Sequence, residues 1–207
     1  MTPELIEVPE FLRLSTVTMT LVKAVGISKS PFTFQETAYE WDGEQWLIDI
    51  VIPPITDRRL AGKYKAFLLK LRGEVNNFLL GDPSCSTPLG VATGIPLVNG
   101  GGQTGNTLST KGWTPSIDGI LLEGDYIQIG TGLNARLHMV VSDVNSDGSG
   151  NASISVIPSL RYSPADNAQI IVNSPKGVFK FDSSDVSWSA DPSNIYTFSL
   201  TAREVLN

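Results

Sequence analysis

The feature that most constrains this chain is an alternation of period two. In residues 45–52, Trp46, Ile48, Ile50 and Ile52 fall on one face. In residues 16–25, Val17, Met19 and Leu21 share one face while Thr16, Thr18 and Thr20 share the other. Alternation rich in β-branched residues requires half-buried strands. Residues 32–41 are read as the partner of 45–52, with Asp42-Gly43 as a tight hairpin signal between them. Pro53-Pro54 is expected to end the strand, because proline donates nothing to a ladder.

One segment breaks the pattern. Leu60, Tyr64, Phe67, Leu68 and Leu71 form an apolar stripe at helical spacing, which predicts a helix over 57–72. Thr56 is expected to cap it, Asp57 suits the positive end of its dipole, and Gly73 is a natural stop. A short strand, Phe78-Leu79-Leu80, follows and stops at Gly81-Asp82-Pro83.

Residues 82–116 are rich in Gly, Ser, Thr and Pro and include Asn99-Gly100-Gly101-Gly102. They are read as a long linker with little regular structure. Residues 117–176 return to short strands, with Tyr126–Ile129, Leu137, Met139, Val141, Ala152, Ile154 and Val156 marking them. Such spacing predicts a small β-barrel-like unit. The last segment gives two more strands, with Tyr196, Phe198, Leu200 and Ala202 on one face. The expected fold is therefore mainly β.

Composition bounds the function. The chain has 207 residues, 41% of them hydrophobic and only 17% charged, and a net charge of −6. That is a globular composition, and the acidic balance disfavours a nucleic-acid binder. The longest apolar run, 46–55, is short and carries Asp49, so no membrane span is expected. The acidic start MTPELIEVPEF does not resemble a signal peptide, so synthesis and folding in the cytoplasm are expected.

Catalytic residues are sparse. The single histidine, His138, sits at a strand position and reads as a surface or packed imidazole. A nucleophilic pair with the single cysteine, Cys85, is the catalytic alternative, but nothing in the sequence brings the two together. One His and one Cys rule out the usual zinc site within one chain. Asp143-x-Asn145-x-Asp147-Gly148 matches the start of a calcium loop, but Ile154 stands where the last acid belongs, so it reads as a turn. Gly130-x-Gly132-x-x-Ala135 lies between two strands with no helix for a pyrophosphate, and it also reads as a turn. Paired carboxylates remain open, because sequence spacing does not decide them. No cofactor, metal or catalytic residue is assigned, and the chain is read as non-enzymatic.

Charge is unevenly distributed. Residues 56–73 carry Arg58, Arg59, Lys63, Lys65, Lys70 and Arg72 against Asp57 alone. Fifteen bases and 21 acids in all leave nine bases and 20 acids elsewhere. Either this is a solvated helix face, or these six residues form a subunit interface that meets an acidic surface on another copy. Two different complementary surfaces give a head-to-tail contact, which closes into a ring when the rotation fits.

The order of several short motifs carries a resemblance. Ser30-Pro31-Phe32 comes first, followed by Tyr39-x-Trp41-x-Gly43-Glu44-x-Trp46 and Pro53-Pro54. A helix ending Leu71-Arg72-Gly73 then leads to Phe78-Leu79-Leu80-Gly81-Asp82-Pro83. Gln103-Thr104-Gly105, Gly124–Gly130 and Ile157-Pro158-Ser159-Leu160-Arg161 continue the series. In this order the chain resembles the distal tail or minor tail proteins of siphophages.

The resemblance implies a belt-like β-sandwich domain with one helix, formed by 1–81 and 177–207, and a second β-barrel-like domain at 117–176. It implies a virion protein at the tail tip, a homohexameric ring bound to the tail tube protein and to hub and tip proteins. It offers no catalytic residues. The alternative is a carbohydrate-binding or host-receptor-binding module, in which Trp113 and Trp188 stack on sugars.

Overall fold

The buried stripe Trp46, Ile48, Ile50, Ile52 organises the first half of the structure, a computed structural model that describes residues 2–9, 12, 14–190 and 195–206. These side chains lie on β3 (Glu36–Ile55), which pairs with β2 (Thr16–Lys29) on one side and the C-terminal strand β13 (Tyr196–Glu204) on the other. The register sets Phe198 opposite Ile52, Leu200 opposite Ile50 and Ala202 opposite Ile48, so three apolar pairs share one face. Burying each large aliphatic side chain contributes about 1.5–3 kcal/mol.

The remaining strands of this sheet are β1 (Leu5–Ile6), β4 (Asn77–Leu80), β11 (Gly177–Phe181) and β12 (Ser189–Ala190). The order is β1-β4-β11-β13-β3-β2, with β12 added to β13. Only β1 and β4 run parallel. Buried Asn76 holds that junction, accepting from the Glu4 amide at 3.1 Å and donating to the Lys70 carbonyl at 2.9 Å.

Helix α1 (Arg58–Lys70) covers the apolar face. Its buried residues are Ala61, Tyr64, Phe67 and Leu68, and the Tyr64 ring stacks on Phe198 with centroids 5.7 Å apart. The cap is Asp57 and not Thr56: the Asp57 carboxylate accepts from the Arg59 amide at 2.7 Å. The stop falls where expected, with Arg72 and Gly73 both in the left-handed region.

Two expectations about β3 are corrected. Asp42-Gly43 is not a hairpin turn, since both residues lie inside one continuous strand. The β2–β3 pairing is irregular there, and it absorbs the glycine as a bulge between Lys23 and Val25. The chain reverses instead at 30–35. Pro53-Pro54 does not end the strand either; it sits at the irregularity between the Ile52 and Ile55 pairings with β13, where no ladder donor is needed.

The second sheet contains β5 (Gly94–Val98), β6 (Gly105–Trp113), β7 (Tyr126–Ile129), β8 (Arg136–Val140), β9 (Ala152–Leu160) and β10 (Ile170–Ile171). The order β10-β7-β8-β9-β6-β5 is antiparallel throughout. A bridge between Leu97 and Gln169 brings the two edge strands together, so the sheet is nearly barrel-shaped. The mainly β fold with one helix and two β units is as expected.

The reading of 82–116 as a linker is corrected, because β5 and β6 lie within it and β6 is an interior strand. Its inward face carries Leu108, Thr110 and Trp113, all buried. Thr110 donates to the Ala152 carbonyl at 2.9 Å and accepts from the Trp113 indole at 2.7 Å, so a polar residue satisfies a core position. The glycine-rich run is the β5–β6 turn, fastened by the Gln103 amide to the carbonyls of Asn99 and Gly100.

The chain passes between the sheets twice, and the two passages touch. The Ser174 amide donates to the Ser86 carbonyl at 2.6 Å. A Cβ on Gly81 would lie 2.0 Å from the Pro175 carbonyl oxygen, so only glycine fits at that crossing.

Candidate functional site: a projecting arm and the junction between the sheets

Strands β2 and β3 run on beyond the body of the protein. Val17, Met19, Leu21, Trp46, Ile48 and Ile50 join the first core, but none of residues 24–43 belongs to a core cluster. Pairing nevertheless continues from Val25–Glu40 to Lys29–Glu36. Together with its tip, this two-stranded arm projects roughly 20 Å.

The arm displays apolar side chains on both faces. Opposed residues share a face, so Val25 and Ile27 lie with Ala38 on one, and Tyr39 and Trp41 lie on the other. Ile27 is 69% exposed, Trp41 60% and Tyr39 56%. Trp41 covers Gly26, where an added Cβ would come within 2.7 Å of the indole. Ion pairs Lys29–Glu36 and Lys23–Glu40, at 2.8 and 3.1 Å, bracket the first face.

The tip is locally fixed. Ser30 Oγ accepts from the Thr33 amide at 3.2 Å, the Ser30 amide donates to the Gln35 carbonyl at 2.9 Å, and Phe34 takes a left-handed conformation. Phe32 and Phe34 stand outward, 91% and 71% exposed. Such a ribbon has too little buried surface to be stable by itself, and large exposed apolar patches mark contact sites. The outer edge of β2 also carries no further strand among the described residues, which leaves a long row of ladder groups open.

The helix residues expected at an interface divide into two groups. Arg58, Arg59, Lys63, Lys70 and Arg72 are exposed. Lys65 is half-buried, with its ammonium 4.5 Å from the Tyr196 ring centroid and 5.1 Å from that of Trp188, a cation–π position inside its own chain. Lys65 is therefore spent on packing.

At the base of the arm the two sheets are locked together. Buried Glu44 accepts from the Ser159 amide at 2.5 Å and pairs with Lys23 at 2.8 Å. Burial pushes its carboxyl up, but the Lys23 ammonium and the Ser159 amide outweigh burial and hold it below the usual carboxylate range. Arg161 donates to the Glu44 carbonyl and pairs with buried Glu204 at 2.6 Å. The Glu204 carboxylate also accepts from the Trp46 amide at 3.2 Å. Sequence reading missed this cluster, whose members come from four distant segments.

His138 is a packed imidazole, buried on β8, with Nδ1 2.7 Å from the Pro158 carbonyl. Burial pushes it down to about 4, and the nearby Arg161 and Arg136 push the same way, against the Pro158 bond and Glu44. Cys85 instead packs against the first core, beside Ser84. The side-chain oxygens of the calcium-like segment are spent on backbone amides: Asp143 takes that of Glu123, Asn145 that of Gly119, and Asp147 those of Ser149 and Asn151. Gly130–Ala135 is the β7–β8 turn. Trp113 is 3% exposed and belongs to the second core, so it offers no stacking platform, while Trp188 lies half-exposed under Lys65.

No family model and no curated protein matches this chain.

Proposed function

We propose that the chain is a non-enzymatic structural subunit of the tail tip of a long-tailed bacteriophage. Copies of it form a ring that joins the tail tube to the host-recognition apparatus. The observation that carries this reading is the arm: a fixed, paired ribbon whose large apolar side chains stay exposed and join none of the core clusters. A second copy is its partner. The open edge of β2 and the separation of a basic helix from an acidic remainder support a head-to-tail contact of two different surfaces. Motif order supplies the tail-tip context. The non-enzymatic part is supported by a lone histidine whose Nδ1 is tied to a backbone carbonyl.

Electron microscopy of the purified protein tests the reading. The expected result is closed rings with a central channel. Dispersed monomers at high concentration, in low and moderate salt alike, overturn it. Ile27→Asp with Phe32→Asp is expected to prevent assembly while leaving the thermal transition of the monomer in place, because neither side chain touches a core.

A further inference from the structure

We infer that the tip of the arm seats on a neutral apolar strip of the next copy, formed by Leu89, Val91 and Ile95 on its second β unit. The inference rests on the ring reading and names the surface that receives the arm.

The strip stands out in sequence as well as in space. Residues 83–110 hold no charged side chain, in a chain that is 17% charged. Part of that run is core, with Val98 and Leu108 fully buried. Leu89, Val91 and Ile95 are not: each is at least 60% exposed, and none joins a core cluster. A face that meets only water is ordinarily charged. The core of a subunit contact is apolar and depleted of charge.

The strip is held ready by its inward side. Ala92 packs against the second core, and a Cβ on Gly90 would lie 2.6 Å from the Ile120 carbonyl oxygen. Buried Asp125 spends its carboxylate here, accepting from the Leu89 amide at 2.6 Å and from the Gly90 amide at 3.1 Å. The Val91 amide donates to the Gly119 carbonyl at 3.0 Å, and the Thr93 carbonyl accepts from the Thr114 amide at 3.0 Å. The backbone is thus ordered before a partner arrives, which lowers the cost of binding.

The arm tip has matching properties. Residues 30–35 are likewise uncharged, and Phe32 and Phe34 stand outward from a fixed turn. Beneath the tip, Lys29 and Glu36 neutralise each other at 2.8 Å. Rigidly held aromatic side chains are common anchors of an interface. The exposed Arg58, Arg59 and Lys70 of α1 make a poorer seat, because an uncharged tip would cover these cations without pairing them. Tip and strip are both exposed in the same folded chain, so they do not cover each other and their contact falls between copies. Two different surfaces make that contact head-to-tail.

Two broken chains test the seat. One carries Ile27→Asp with Phe32→Asp in the arm, and the other carries Val91→Asp with Ile95→Asp in the strip. None of the four side chains joins a core cluster. Each chain alone is expected to sediment as a monomer at concentrations where the wild type assembles. Mixed, they should form a one-to-one heterodimer that grows no further, the intact arm of the second chain lying on the intact strip of the first. A gentler strip variant, Val91→Ser with Ile95→Ser, should weaken assembly by at least about tenfold. Rings formed by the strip variant alone, or an unchanged dissociation constant for the gentler one, overturn the seat and leave the ring standing. Broken chains that stay monomeric when mixed, beside a wild type that assembles, also overturn the seat alone. A wild type that never assembles overturns both.

Discussion

The indole of Trp46 donates to the carbonyl of Leu137 at 3.0 Å, so β3 of the first sheet is bonded to an interior strand of the second. The Trp46 ring also lies against Tyr126, with centroids 6.2 Å apart, and Tyr126 and Leu137 join the first core. The two sheets therefore share side chains as well as a polar junction.

Trp46→Phe is expected to destabilise the protein by about 1–3 kcal/mol, through a lost buried hydrogen bond and a lost ring. Denaturant unfolding followed by far-ultraviolet circular dichroism measures it. Unchanged stability would mean that the indole bond contributes nothing.

Glu204→Gln leaves Arg161 buried without its counter-charge, at an expected cost of about 3–5 kcal/mol. Arg161→Met combined with Glu204→Leu should cost less than the sum of the two single changes, because neither residue is then left uncompensated. A double-mutant cycle in urea reads the coupling, and additive costs would contradict a direct pair.

His138 gives a pH dependence of definite sign. Its folded pKa, about 4, lies below the ordinary 6.5, so the unfolded chain binds the extra proton first. Its contribution is present above pH 6.5 and is lost as pH falls towards 4, by about 3 kcal/mol at most. Glu44, also held low, acts in the same direction. Comparing the wild type with His138→Gln isolates the histidine, and the wild type should lose more stability than the variant between pH 6.5 and 4.

Gly81→Ala should destabilise by at least about 1–3 kcal/mol, since the new methyl would meet the Pro175 carbonyl and one passage between the sheets must move. A thermal midpoint equal to that of the wild type would show that the two passages yield freely.

The strands of the first sheet were legible because their burial is written in large apolar side chains: Ile48, Ile50 and Ile52 on β3, Phe198 and Ala202 on β13. The arm was not. Asp42-Gly43 has the composition of a two-residue turn, whereas the real reversal depends on the Ser30 hydroxyl gathering local amides. Strand β6 was missed because Thr110 occupies a core position through two hydrogen bonds, which no hydrophobic pattern records. The junction was hidden by separation: Arg161 meets Glu44 across 117 residues and Glu204 across 43. In the helix the basic residues were visible, but the inward turn of Lys65 depends on Tyr196 and Trp188, far along the chain.

The ribbon that forms the arm is the same ribbon that forms the core. Thirteen residue pairs run without interruption of the chain from Thr16–Val51 in the body to Lys29–Glu36 near the tip. A force applied at Phe32 or Phe34 along the ribbon would load those cross-strand bonds at right angles to their axes and deliver the load to Ile48 and Ile50. The Lys23–Glu44–Ser159 contacts, where the ribbon leaves the body, brace it sideways against the second sheet. The arm is thus a stiff lever anchored in the folded body, and a tug at its end is felt at the fulcrum beside Glu44.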